Sequence, residues 1–155
     1  MITSAEELDW EKQIKWFKPE EFDDPDYPGS WKHLDPKTII LMDWLRKNTG
    51  WPIITHNKYG LHGCVCVKNK GHALKSRHYI THPDGASAID FHFNTNAPVH
   101  EQVRSILCMS GFTGVGIYYD WHWNNSLLKV GFHVDRRKRF QLWVRDKGKY
   151  IYIVR

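Results

Sequence analysis

Apolar and polar positions alternate along Ala86–Phe93. Ile89, Phe91 and Phe93 fall on one face, and Ala88, Asp90 and His92 fall on the other. This two-residue period predicts a strand with its first set in the core and its second set facing a cleft, where Ala88 is small enough to leave room beside Asp90. Lys129–Val134 reads the same way: Val130, Phe132 and Val134 point inward, with Gly131 and His133 opposite. Val115–Tyr119 predicts another strand. Arg139–Arg145 and Lys149–Val154 predict a hairpin around Asp146-Lys147-Gly148. Two shorter strands are expected at Trp51–Thr55 and Gly63–Val67.

The period changes to helical in two places. Asp35 is a good N-cap and Pro36 suits the first helical position. Ile40, Leu41, Trp44 and Leu45 then recur at helical spacing, and Gly50 ends the element. Pro98 opens a second helix with Val99, Val103, Ile106 and Leu107 on one side and Gly111 as its terminator. Few helices set apart from a late run of strands predict an α+β fold with a mainly antiparallel sheet. Residues 1–34 read as an N-terminal arm, with a short amphipathic stretch from Leu8 to Phe17, wrapped on the domain by Trp10, Trp16, Phe17 and Phe22. Residues 35–155 read as the domain itself.

Composition narrows the class. A chain of 155 residues, 41% hydrophobic and 25% charged, is enough for one core. No apolar run approaches the roughly 20 residues of a membrane span. No basic segment followed by an apolar stretch opens the chain, so synthesis in the cytoplasm without a signal peptide is expected. Cys64 and Cys66 share one strand face, and with Cys108 they make an odd set that reads as free thiols rather than a redox pair. The formal charge of +5 suits an anionic partner: nucleic acid, a membrane surface or a cell-wall polymer. The one dense basic run, Arg136-Arg137-Lys138-Arg139, reads as a solvated turn or as a binding patch.

Eight Trp and ten His are unusual. Three residues stand out: two of the His, His78 and His133, together with Asp90, each expected on an otherwise apolar strand. A buried, unpaired carboxylate is costly, and a cation beside Asp90 would offset that cost. Two imidazoles and a carboxylate are a donor set that zinc accepts, with a fourth position left for water.

The order of surrounding motifs resembles the zinc D-alanyl-D-alanine carboxypeptidases, and in particular their small phage and bacterial members that cut peptidoglycan stem peptides. The resemblance rests on Ser76-Arg77-His78, Gly85 through Asp90, Gly114-Val115-Gly116-Ile117-Tyr118, Phe132-His133-Val134-Asp135 and Trp143. Upstream it takes in Trp16–Phe22, Ile39–Arg46, Pro52–Thr55 and Asn69–His78, so it covers about residues 16–145. It implies a hedgehog/DD-peptidase-like single domain and one zinc per chain held by His78, Asp90 and His133. The implied substrate is the peptidoglycan stem peptide, and the implied setting is an endolysin-like or virion-associated protein released by lysis or carried in a particle.

This chain departs from that pattern in three places. The family's Asp follows the first His by seven residues, whereas here His78 precedes Asp90 by twelve and His82 by eight. The first ligand is therefore His78 by its Ser-x-His context or His82 by spacing. The family's arginine after the first strand is replaced by Thr55-His56-Asn57-Lys58-Tyr59, which leaves Lys58, His56 or Arg77 for electrostatic work. The general-base positions before the last ligand are Val130 and Gly131. Asp135, His92 and His122 are the candidates left, with Asp135 equally suited to orienting His133. Ser76 reads as a hydrogen-bonding support for His78 rather than a nucleophile. Two other readings stand beside the peptidase: a zinc-binding structural or wall-binding module that has lost catalysis, and a basic nucleic-acid-binding or nuclease domain, which a single basic run supports only thinly.

Overall fold

The computed structural model describes residues 3–57, 63–68 and 71–154. Helix α1 (Pro36–Thr49) begins where Asp35 accepts a hydrogen bond from the Thr38 N–H, and it ends on Gly50, whose φ of +66° is open to glycine. Its buried side is Ile39, Leu41, Met42 and Leu45. Trp44, expected in that stripe, is half exposed, because the buried face is turned toward Ile39 and Met42. Buried Asp43 accepts the Lys15 and Trp16 N–H groups at 3.1 and 2.8 Å and so ties the N-terminal arm to this helix.

Among its described residues the arm has no α-helix. It is three short 3₁₀ turns at Ala5–Glu7, Pro19–Phe22 and Ser30–His33. Ala5, Leu8, Ile14, Phe17 and Phe22 join the main core, with Trp10 packed at its margin. Trp16 remains 49% exposed, and it anchors the arm through its backbone, bonded to Asp43 and Arg46, rather than through its ring.

Strands β1 (Ile53–Thr55), β2 (Ala88–Phe93), β3 (Gly114–Tyr118), β6 (Gly131–Asp135), β7 (Gln141–Asp146) and β8 (Lys149–Val154) form one sheet in the order β1-β2-β6-β3-β7-β8. Every pairing is antiparallel except β3 with β7. The fold is thus α+β with a mainly antiparallel sheet and two α-helices, the second being α2 (Val99–Leu107). That helix stops at Cys108, short of Gly111, and its Leu107 is 42% exposed rather than inward.

Strands β4 (His122–Trp123) and β5 (Ser126–Leu127) make a separate hairpin. Asn124 and Asn125, at φ 50° and 61°, supply the left-handed pair that a two-residue turn requires.

Gly63–Val67 is not a strand. Its N–H groups go one by one to scattered acceptors: the carbonyls of His56, Phe22 and His78, and the Asp24 carboxylate. Satisfied in this way, the segment is a buried irregular wall. Gly63 through Cys66 are all buried.

The sheet has two unlike faces. Ile89, Phe91, Phe132, Val134, Val115 and Ile117 join the apolar core that includes α1. The opposite face carries an in-register row: Asp90 opposite His133, His133 opposite Gly116, Gly116 beside Trp143, and Trp143 opposite Tyr152.

Candidate metal centre

Strand pairing alone brings Asp90 and His133 together, and the Asp90 carboxylate lies 2.7 Å from His133 Nδ1. His78 arrives from a loop rather than a strand. Its Nε2 sits 3.5 Å from Asp90 Oδ2 and 3.3 Å from His133 Nδ1. All three side chains are buried, and one ligand atom from each lies within 4.8 Å of the others. A tetrahedral zinc with bonds of about 2.0–2.1 Å places its ligand atoms about 3.3 Å apart. The observed spacings bracket that value.

The outer hydrogen bonds decide which nitrogens face the centre. His78 Nδ1 lies 3.0 Å from the Cys64 carbonyl, which can only accept, so Nδ1 carries the proton and Nε2 presents a lone pair inward. His133 Nε2 lies 3.0 Å from Asp135 Oδ2. Asp135 is fully buried and gripped by the Arg137 guanidinium through both carboxylate oxygens. Burial opposes ionisation of Asp135, but its bonds to Arg137 and His133 outweigh that and hold the carboxyl well below the usual range. His133 Nε2 therefore donates to it, and Nδ1 is left facing Asp90.

Two inward lone pairs facing a carboxylate would repel one another, so a cation must sit among them. In the protein alone the cation is a proton. Burial disfavours a charged His133, but the Asp90 carboxylate and the bond to Asp135 prevail and push its pKa up to about 9. Burial likewise opposes the Asp90 anion, and His78 and His133 overcome it. Two imidazoles fixed by outer acceptors and one ionised carboxylate are a set that could hold a metal ion in place of that proton.

Glycines make room for this arrangement. A Cβ on Gly63 would lie 2.6 Å from Asp90 Cβ, and one on Gly114 would collide with the Asp135 carboxylate.

The centre opens into a cleft of about 770 Å³. Its lining includes His72, whose ring stacks on His78 with centroids 4.5 Å apart, along with Tyr118, Trp121 and Trp143. It also includes Lys75, Arg77, Arg137, Lys138, Arg139 and Arg145. The basic run is split by the fold. Arg136 pairs with Asp35 at 2.6 Å and Arg137 with Asp135, whereas Lys138 and Arg139 face the cleft.

The other expected site residues lie elsewhere. His82 lines the cleft, but its Nδ1 accepts the Asp84 N–H and its ring is outside the His78–Asp90–His133 group. His92 shares a face with Asp90 but turns to His56, Nδ1 to Nε2 at 2.8 Å, beneath Trp123. His122 is exposed on β4 and lines no part of the cleft. Arg77 lines the cleft while binding Asp84 and the Arg136 carbonyl. Lys58 lies outside the described residues. Ser76 Oγ accepts the His78 backbone N–H at 3.3 Å, and it is the Cys64 carbonyl that holds the ring.

The roles of Cys64 and His72 were not legible beforehand. A backbone carbonyl leaves no side-chain signal, and His72 falls within Asn69–His78 at a position to which the resemblance assigns no role.

Comparison with known protein families, with curated proteins and with solved structures returns no match. Among the described residues no helix is long and apolar enough to cross a membrane.

Proposed function

We propose that this protein is a zinc-dependent peptidase of peptidoglycan stem peptides with a DD-peptidase-like fold, acting on the bacterial wall as an endolysin-like or virion-associated hydrolase. The observation that carries the reading is the buried His78–Asp90–His133 group, its two imidazoles turned by outer acceptors so that one nitrogen of each faces Asp90, within a basic cleft. Two nitrogens and one carboxylate oxygen suit zinc at a hydrolytic site. Bound there, zinc would supply a Lewis acid for a peptide carbonyl and a water of lowered pKa.

The chain's own residues do the rest. Asp135 fixes the His133 tautomer and is itself held by Arg137. The Cys64 carbonyl fixes His78. Arg77 and Arg145 set positive charge around an acyl group undergoing attack. Both carboxylates lining the cleft are committed, Asp90 to the centre and Asp135 to His133 and Arg137. His72 and His82 are the lining imidazoles left to carry a proton.

Zinc analysis of purified protein is expected to give about one ion per chain. Hydrolysis of cell-wall suspensions is expected to stop with chelator and return with zinc, and mass spectrometry of the digest then names the bond. Zinc-loaded protein that leaves peptidoglycan intact would instead support the second reading, a zinc-holding module without catalysis. That reading is favoured by the absence of a free carboxylate among the described cleft residues.

A further inference from the structure

One arm of the cleft runs from the metal group across the sheet. From Asp90 the row passes His133, Gly116 and Trp143 to Tyr152 at the sheet's edge. Four inter-strand steps of about 4.8 Å make this roughly 19 Å, the length of about six extended residues. Trp143 lies beneath it, largely buried: a Cβ on Gly116 would lie 2.7 Å from the indole, so only glycine lets the ring lie on β3, and the Arg137 guanidinium sits over the ring, 4.9 Å from its centroid.

The hairpin side is walled by Trp121, stacked on Tyr118 at 4.9 Å, and by Arg145 over both rings. The opposite wall is the loop carrying Arg137, Lys138 and Arg139. Beyond Trp143 the floor continues as Tyr150 and Tyr152, 51% and 44% exposed on one face of β8.

Charge identifies the occupant. Arg137 and Arg145 are matched by Asp135 and Asp120. Among the described residues Lys75, Lys138 and Arg139 enter no ion pair, and all three are exposed around the cleft. No free carboxylate among the described lining residues balances them.

We propose that the trough over β3, β7 and β8 is an extended subsite for a carboxylate-bearing peptide arm several residues long, running one way from the metal group to the β8 edge. The arm's carboxylates lie against Lys138 and Arg139, and its backbone lies over the stacked Arg137–Trp143 pair and the exposed Tyr152. The inference rests on the peptidase reading and adds to it the length, direction and charge of the substrate.

Binding is measured on chelator-treated protein, so that no hydrolysis or metal contact contributes. The probes are the pentapeptide L-Ala-γ-D-Glu-L-Lys-D-Ala-D-Ala, the same peptide with its carboxylates amidated, the dipeptide D-Ala-D-Ala, and a short single-stranded oligothymidylate. The pentapeptide is expected to bind about tenfold more tightly than the amidated peptide or the dipeptide, with affinity falling as salt rises. The double variant Lys138→Ala/Arg139→Ala is expected to lose that salt dependence and about tenfold in affinity. Tyr152→Ala is expected to lose several-fold. No detectable pentapeptide binding, equal affinity for the dipeptide, wild-type affinity in both variants, or tighter binding of the oligonucleotide would each overturn the subsite. Zinc stoichiometry and wall hydrolysis, measured separately on the untreated protein, decide the peptidase reading independently.

Discussion

Strand β2 feeds two histidine clusters that behave in opposite ways. Asp90 joins His78 and His133, and two residues on, His92 joins His56. Both clusters are buried on the same face of the sheet. The first is rich in carboxylates, with Asp90 on one side of His133 and Asp135 on the other, and its imidazole is driven to the charged form. Among the described residues the second has no carboxylate bonded to it, and it is covered by rings: Trp123 stacks on His56 at 4.9 Å and Trp121 lies at 5.3 Å. There burial dominates, and the pKa falls to about 3 for His56 and about 4 for His92. Burial alone therefore does not decide the charge of a histidine; the carboxylates that accompany it do. One cluster is built to hold a cation and the other to exclude one.

The sharpest way to break this contrast is to empty the first cluster. His133→Ala is expected to abolish stoichiometric zinc binding, weakening affinity by about a thousandfold or more, while His92→Phe leaves about one zinc per chain. Equal loss in both variants would mean that the two clusters form one site.

Proton linkage separates them next. Metal must displace the proton on His133, so zinc affinity is expected to fall about tenfold for each pH unit below about 9, with one proton released per ion. Calorimetry in buffers of different ionisation enthalpy counts that proton.

In the metal-free protein the stability signs are opposite. His133, raised from 6.5, contributes stability that is complete below pH 6.5 and is lost as pH rises through about 9. His56 and His92, lowered from 6.5, contribute stability that is complete above pH 6.5 and is lost as pH falls toward about 3 and about 4 respectively. Denaturant unfolding in chelator should show both limbs, and His56→Phe/His92→Phe should flatten only the acid one.

Alternation made much of this legible in the sequence. The outward set Ala88, Asp90, His92 and the outward set Gly131, His133 follow from a period of two, and the antiparallel register then opposes Asp90 to His133. Alternation could not separate Asp90 from His92, because period places both on one face while their partners come from different strands and loops. Nor could it choose between His78 and His82. That choice is made by a buried irregular segment, Cys64 to Cys66, whose carbonyls and N–H groups clamp His78 without any pattern of side chains. The strand expected at Gly63–Val67 failed for the same reason: an apolar run reads alike whether its backbone pairs with a neighbour or with scattered loop groups.

Asp135→Asn tests whether the outer carboxylate makes the first cluster what it is. An amide is neutral and can present its N–H₂ to His133, leaving the tautomer unfixed. Zinc affinity is expected to drop about 10- to 100-fold with the fold intact. The His133 titration should move down toward neutrality, a change visible in its ring proton shifts in the metal-free protein. An unchanged titration would assign the whole shift to Asp90.

The smallest effect probes the partition between the clusters. Gly63 packs against both, and an added Cβ would lie 2.6 Å from Asp90 Cβ and 2.9 Å from His56 Cβ. Neither neighbour can yield by rotating a flexible end, since both atoms are the first of their side chains. Gly63→Ala should therefore push β2 and the His56 turn apart, costing about 1–3 kcal/mol of stability. Because Asp90 is held by two histidines while His56 has its Nδ1 without a partner among the described residues, the displacement should fall on His56. Zinc stoichiometry is then retained with affinity reduced by less than about tenfold, while Trp fluorescence reports the shift beside Trp123. Loss of zinc with unchanged fluorescence would show that Asp90 is the softer side of the wall.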